Sequence, residues 1–84
     1  MPASSRYDQM HELVLRRLLA RHGELMDTLA LSNLLKFGNT RSFRRAAVQG
    51  HLPFRVFHID GRRGWFARTG DVAAWLAKIQ SQHH

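Results

Sequence analysis

Eleven of the thirteen basic side chains in this 84-residue sequence are arginines, and seven of those fall between residues 41 and 68. Arginine presents donors in a planar fork that matches phosphate oxygens and the guanine edge, so a cluster of them implies a polyanionic partner. The charge is concentrated in the middle of the chain. Residues 1–39 hold five basic and four acidic side chains, residues 40–68 seven and one, and residues 69–84 one of each, so excesses of +1, +6 and 0 make up the formal +7. That distribution predicts contact with nucleic acid through the central segment. Six histidines and six carboxylates are the other reactive groups. No motif pairs a nucleophile with a base, and no His-x-x-x-His or His-x-x-Glu-His spacing offers a metal site, so the expectation is a non-enzyme without metal or cofactor.

Residues 37–53, FGNTRSFRRAAVQGHLP, carry the chemistry most clearly. Asn39 is a good N-cap, because its side-chain oxygen can accept from the orphan amide of Arg41 or Ser42. Gly50 is a good stop, which predicts a helix over residues 40–49. At about 100° per residue, Phe43, Ala46 and Ala47 share one face, while Arg41, Arg44, Arg45 and Val48 spread over the other. Two alanines let a neighbouring helix come close while three guanidinium groups project outward. The pattern suits a helix laid into the DNA major groove, and it equally suits an amphipathic helix with a solvated basic face.

The flanking elements must position that helix. Ser5 and Asp8 form a weak capping box, and Gly23 is a stop, so a first helix is expected over residues 5–22. Its stripe of Tyr7, Met10, Leu13, Val14, Leu15, Leu18 and Leu19 is broad. It serves to cover a small core, and Tyr7, Met10, Val14 and Leu18 also offer a surface for self-association. Residues 24–26 read as a short strand. Asp27 then caps a helix over residues 28–36, with Leu31, Leu34 and Leu35 inward. Phe37, Gly38 and Asn39 separate it from the arginine helix, and two short helices joined through a glycine make a helix-turn-helix.

Beyond Gly50, residues 52–59 and 65–68 read as two strands joined by a five-residue, glycine-bearing loop, a β-hairpin. Alternation leaves open which face of residues 52–59 is buried. At the tip, Arg62 and Arg63 between Gly61 and Gly64 can approach phosphates or a narrow minor groove, although a solvated turn has the same composition. Thr69 is read as the cap of a last helix, with Val72, Trp75, Leu76 and Ile79 on one face and Trp75 in the core. Residues 80–84 are expected to fray, and His83 and His84 match the start of a purification tag.

A chain of this length predicts one domain, 1–84, with a small core. The sequence has no cysteine, no apolar run long enough to span a membrane and no signal-peptide pattern in its first 30 residues. Those features predict a cytoplasmic protein without membrane contact.

The order helix, turn, arginine helix, Gly-x-Leu-Pro, hairpin, then Thr-x-Asp-Val-x-x-Trp-Leu resembles the small excisionase and MerR-type winged-helix DNA-binding domains. The resemblance covers residues 25–79 and rests on Leu34-Leu35, Phe43-Arg44-Arg45, Gly50-His51-Leu52-Pro53, Arg62-Arg63, Asp71-Val72 and Trp75-Leu76. It implies an α+β, mainly helical fold, a winged helix-turn-helix with a two-stranded hairpin wing and an extra N-terminal helix over residues 5–22. By this resemblance Thr40, Arg41, Arg44, Arg45 and Gln49 are recognition-helix contacts, and His51, Arg55, Arg62, Arg63 and Arg68 belong to the wing and its flanks. Two features depart from the family: Ser32 stands where these domains usually have Ala, and the N-terminal helix is an addition.

A MerR-type sensor needs a long dimerising helix after the DNA-binding module, and this sequence stops soon after Ile79. The resemblance therefore implies a recombination directionality factor. Such a factor binds adjacent duplex sites cooperatively, bends DNA and partners a site-specific recombinase. The alternative is a small transcriptional regulator of a mobile element or phage. A different class, RNA or single-strand binding, would use Phe54, Phe57, Trp65 and Phe66 as stacking surfaces among the arginines.

Overall fold

The computed structural model describes residues 6–82. The elements in order are α1 (Arg6–His22), β1 (Leu25–Met26), α2 (Thr28–Leu34), α3 (Thr40–Gln49), β2 (Ala67–Arg68) and α4 (Thr69–Gln82). The architecture is α+β and mainly helical, four helices with one two-stranded antiparallel sheet. Among the described residues no helix is long and apolar enough to cross a membrane. Residues 1–5, including the Ser5 of the expected capping box, and His83 and His84 lie outside the described residues.

β1 pairs with β2 in the register Leu25 with Arg68 and Met26 with Ala67. Because α1 leads into β1 and α4 leaves β2, the antiparallel pairing lays the two long helices antiparallel and side by side. Ala73 and Ala77 of α4 are fully buried, and their small side chains permit close helix approach. Val14 and Leu18 of α1 join Met26, Leu31, Phe43, Ala67, Val72 and Ala73 in one cluster. Burying an aromatic side chain such as Phe43 contributes about 2–3 kcal/mol.

The packing draws in part of the stripe expected to serve self-association. Tyr7 and Met10 are half-buried, and Val14 and Leu18 face inward. The stripe is used within the chain. The exposed large apolar side chains of α1 are Leu13 and Leu19, about 120° apart around the helix and so not a continuous patch.

Several boundaries also differ from expectation, each for a local reason. The Asp27 cap forms, its carboxylate accepting from Ala30 N–H at 2.9 Å, but α2 stops at Leu34 and not at residue 36. Phe37 N–H donates to the Ser32 carbonyl at 3.0 Å and Lys36 N–H to that of Asn33 at 3.2 Å, the paired bonds of a Schellman ending. Lys36, with φ of 65°, takes the left-handed position usually given to glycine, while Gly38, expected to be the turn glycine, has no positive φ.

Thr69 is the first residue of α4 and caps nothing in its own helix. Its hydroxyl donates to the Gly23 carbonyl at 2.6 Å and its N–H to that of Glu24 at 2.9 Å, tying α4 to the end of α1. At the other end α4 continues through Gln82, so residues 80–82 belong to the helix. Trp75 is half-buried, edge-on to Phe54 at 5.7 Å, at the rim of the core.

The expected hairpin is reduced to one bridge. Phe57 and Phe66 exchange both backbone bonds, at 2.9 and 2.8 Å, but residues 52–56 form no strand, and Ala67–Arg68 pairs with β1. Because Phe57 and Phe66 form a hydrogen-bonded pair, the backbone groups of Trp65 point to the opposite edge. There Trp65 N–H donates to Thr28 Oγ1 at 2.8 Å and the Thr28 hydroxyl donates to the Trp65 carbonyl at 3.0 Å, which extends the β1 side. Two features limit the hairpin itself: α4 begins at Thr69, and on the other arm Pro53 lacks a ladder donor while Phe54 turns to Trp75.

Candidate nucleic-acid interface

α3 begins as its sequence dictates, with Asn39 Oδ1 accepting from Ser42 N–H at 2.8 Å. It ends at Gly50, whose φ of 72° permits the bond from His51 N–H to the Ala46 carbonyl at 2.9 Å. Phe43 and Ala47 are buried and Ala46 is half-buried, so the apolar face is seated on the core. The Phe43 ring meets Phe37 edge-on at 5.8 Å. Ser32 adds a fixed point: it is buried, and its hydroxyl donates to the Asn39 carbonyl at 3.3 Å. Ser32 thus supplies a polar tie from α2 to the cap of α3. Seated this way, α3 holds Arg41, Arg44, Arg45 and Gln49 exposed.

The loop between Phe57 and Phe66 reaches the same side. Gly64 has φ of 89°, and a Cβ built on it would lie 2.6 Å from Thr28 Oγ1, so only glycine lets the loop lie this close to the start of α2. His58 supports the turn, with Nδ1 2.9 Å from the Gly64 carbonyl and its ring 3.8 Å from that of Trp65. A cleft of about 210 Å³ results, lined by Asp27, Thr28, Leu29, Thr40, Arg44, Arg63 and Gly64. Arg44 of α3 and Arg63 of the loop, nineteen positions apart in sequence, therefore line one concave surface with the start of α2 between them.

The adjacent Arg62 goes elsewhere. It lines a cleft of about 570 Å³ with Arg21 and His22 from the end of α1, Leu25, Asp27, Ile59 and Phe66. Arg55 lines a third cleft with Ala47 and Gly50 at the end of α3. His51 is exposed just past that end, and Arg68 is exposed on β2 opposite Leu25; neither lines the Arg44–Arg63 cleft. Arg41 and Arg45 share the outward face of α3 with Arg44 but project outside the cleft.

Electrostatically the cleft is cationic, with two arginines to the one carboxylate of Asp27, which accepts from the Ala30 amide. Among the described residues none of the seven arginines from Arg41 to Arg68 makes an ion pair, whereas Arg16 on α1 pairs with Glu12 at 2.9 Å. Among these residues no group of three or more His, Asp or Glu side chains is gathered as a metal site. Sequence reasoning missed Arg21 and His22, which carry no local signal for proximity to Arg62. It also missed Thr28, whose position directly after a cap residue gives no hint that its hydroxyl holds the loop.

Comparison of the chain with protein-family models, with curated proteins and with solved structures finds no match.

Proposed function

We propose that this chain binds double-stranded DNA as a winged helix-turn-helix protein, with α2 and α3 as the paired helices, α3 as reader and the loop from Phe57 to Phe66 as the wing. The observation that carries this reading is the shared cleft of Thr40 and Arg44 from α3 with Arg63 from the loop. Phosphate contacts beside a helix in the major groove fix its register, and a second cationic arm next to α3 suits that role. The element order also supports it: helix, strand, two helices, a bridged loop, and a strand that pairs with the first.

Within this reading the excisionase resemblance favours a recombination directionality factor, which binds adjacent sites cooperatively and bends them for a site-specific recombinase. With Val14 and Leu18 turned inward, copies on adjacent sites would meet through the outward groups of α1. A single-strand or RNA reading is disfavoured by the packing of its stacking residues. Phe54 lies against Trp75, Phe57 and Phe66 form the bridge, Trp65 lies against His58, and all four are half-buried.

Salt titration of binding to duplex DNA tests the proposal. Neutralisation of about four to six phosphates gives log K a slope of roughly −4 to −5 against log salt. A slope near zero, or tighter binding to single strands than to duplex in competition, rejects it. Circularly permuted probes carrying one and several sites test the finer role; independent filling without bending would leave a one-site regulator.

A further inference from the structure

We infer that Val48 is a specificity-determining residue that reads the 5-methyl group of a thymine in the major groove, an inference that rests on the duplex-DNA reading above. Val48 is 75% exposed, the most exposed large apolar side chain among the described residues. It lies in the last turn of α3, whose core-facing positions are Phe43 and Ala47. At about 100° per residue, Arg44, Val48, Arg41 and Arg45 fall in that order within an arc of about 100°, so Val48 lies at the centre of the arginine face. A lone exposed apolar residue is ordinary on a protein surface. Its position here is not, because it stands on the arginine face one turn beyond Arg44, so a duplex laid along that face to the end of α3 covers it.

The chemistry at that spot selects one feature of the duplex. The major-groove edge offers hydrogen-bonding atoms on every base pair and one apolar group, the thymine methyl. Valine has no hydrogen-bonding atom in its side chain, so opposite a guanine or cytosine edge it would desolvate polar atoms without replacing their bonds. Opposite a thymine methyl it buries apolar surface on both partners. Its side chain also holds one strongly preferred rotamer in a helix, so little freedom is lost on contact. The fold gains nothing from it there, since a β-branched residue is a weaker helix former than the alanine that could occupy an exposed position. The flanking arginines favour guanines, so the expected site carries a thymine next to or between guanines.

The test uses the whole chain and a duplex selected from a random pool by that chain. Each thymine of the selected site is replaced singly by deoxyuridine, which removes only the methyl, and every duplex is titrated with wild type and with Val48→Ala. Wild type should lose about fourfold in affinity at one or two positions, the value of one buried methyl group. Val48→Ala should show no loss at those same positions. Val48→Thr, which keeps the shape and adds a hydroxyl, should relax the choice of base there. Three results overturn the inference: no thymine sensitive to its methyl, a sensitivity that Val48→Ala retains, or a Val48→Ala defect equal on all duplexes. If the pool yields no preferred duplex, the duplex-DNA reading falls with it, whereas a preferred duplex indifferent to thymine methyls overturns this inference alone.

Discussion

Gly64→Ala probes the contact that brings the two cationic arms together. The substitution imposes two separable costs. Gly64 has φ of 89°, and an L side chain in left-handed backbone costs about 1–2 kcal/mol. The new Cβ would also lie 2.6 Å from Thr28 Oγ1, so the loop or Thr28 must move. That displacement loosens the two bonds between Thr28 and Trp65, at 2.8 and 3.0 Å, each worth about 0.5–1.5 kcal/mol net when lost outright, so weakening both without breaking them costs about 1–2 kcal/mol. The total is roughly 2–4 kcal/mol, a large share of the order of 4–12 kcal/mol expected for a chain of this size.

Gly61→Ala is the internal control. Gly61 has φ of 80° but open space where the alanine methyl would go, so it carries the backbone cost alone. Urea denaturation should therefore place Gly64→Ala about 1–2 kcal/mol below Gly61→Ala. In thermal melts that difference is roughly 5–15 °C. Thr28→Ala removes the crowded hydroxyl, leaving the nearest side-chain atom at 3.6 Å, so adding Gly64→Ala to it should cost about 1 kcal/mol less than Gly64→Ala costs alone. Equal stability of Gly64→Ala and Gly61→Ala, or strict additivity with Thr28→Ala, would refute the close approach of loop and helix.

Further outcomes follow from the same contacts. Asn39→Ala removes the oxygen that accepts from Ser42 and should lower the urea-derived stability by about 1 kcal/mol. Lys36→Gly relieves a left-handed lysine and should raise it by about 0.5–1 kcal/mol, the strain removed less the entropy glycine adds to the unfolded chain. In duplex titrations, Arg44→Ala and Arg63→Ala should couple in a double-mutant cycle because they share a cleft, while Arg44→Ala and Arg62→Ala should be close to additive. Removing residues 1–22 should abolish cooperative unfolding in calorimetry, since it strips Val14 and Leu18 from the core and α1 from α4.

Local features were legible in the order of residues alone. The Asn39 cap, the Gly50 stop and the separation of Phe43 and Ala47 from Arg41, Arg44 and Arg45 depend on neighbours within about one helical turn to three, and α3 has the expected bounds. The Asp27 cap and a short strand near residues 24–26 were legible for the same reason. Features that depend on distant partners were set by packing. The amphipathic stripe of α1 is the same whether it meets α4 or a second copy, and only the pairing of β1 with β2 turns Val14 and Leu18 onto α4. The run of β-branched and aromatic residues after Gly50 reads as strand, yet Phe54 turns to Trp75, 21 positions downstream, and α4 begins at Thr69, so only the Phe57–Phe66 bridge forms. The two neighbouring arginines Arg62 and Arg63 are alike in sequence. They part because the chain reverses between Ile59 and Arg62 beside the end of α1, while Gly64 lies close against Thr28, and each arginine acquires a different set of neighbours.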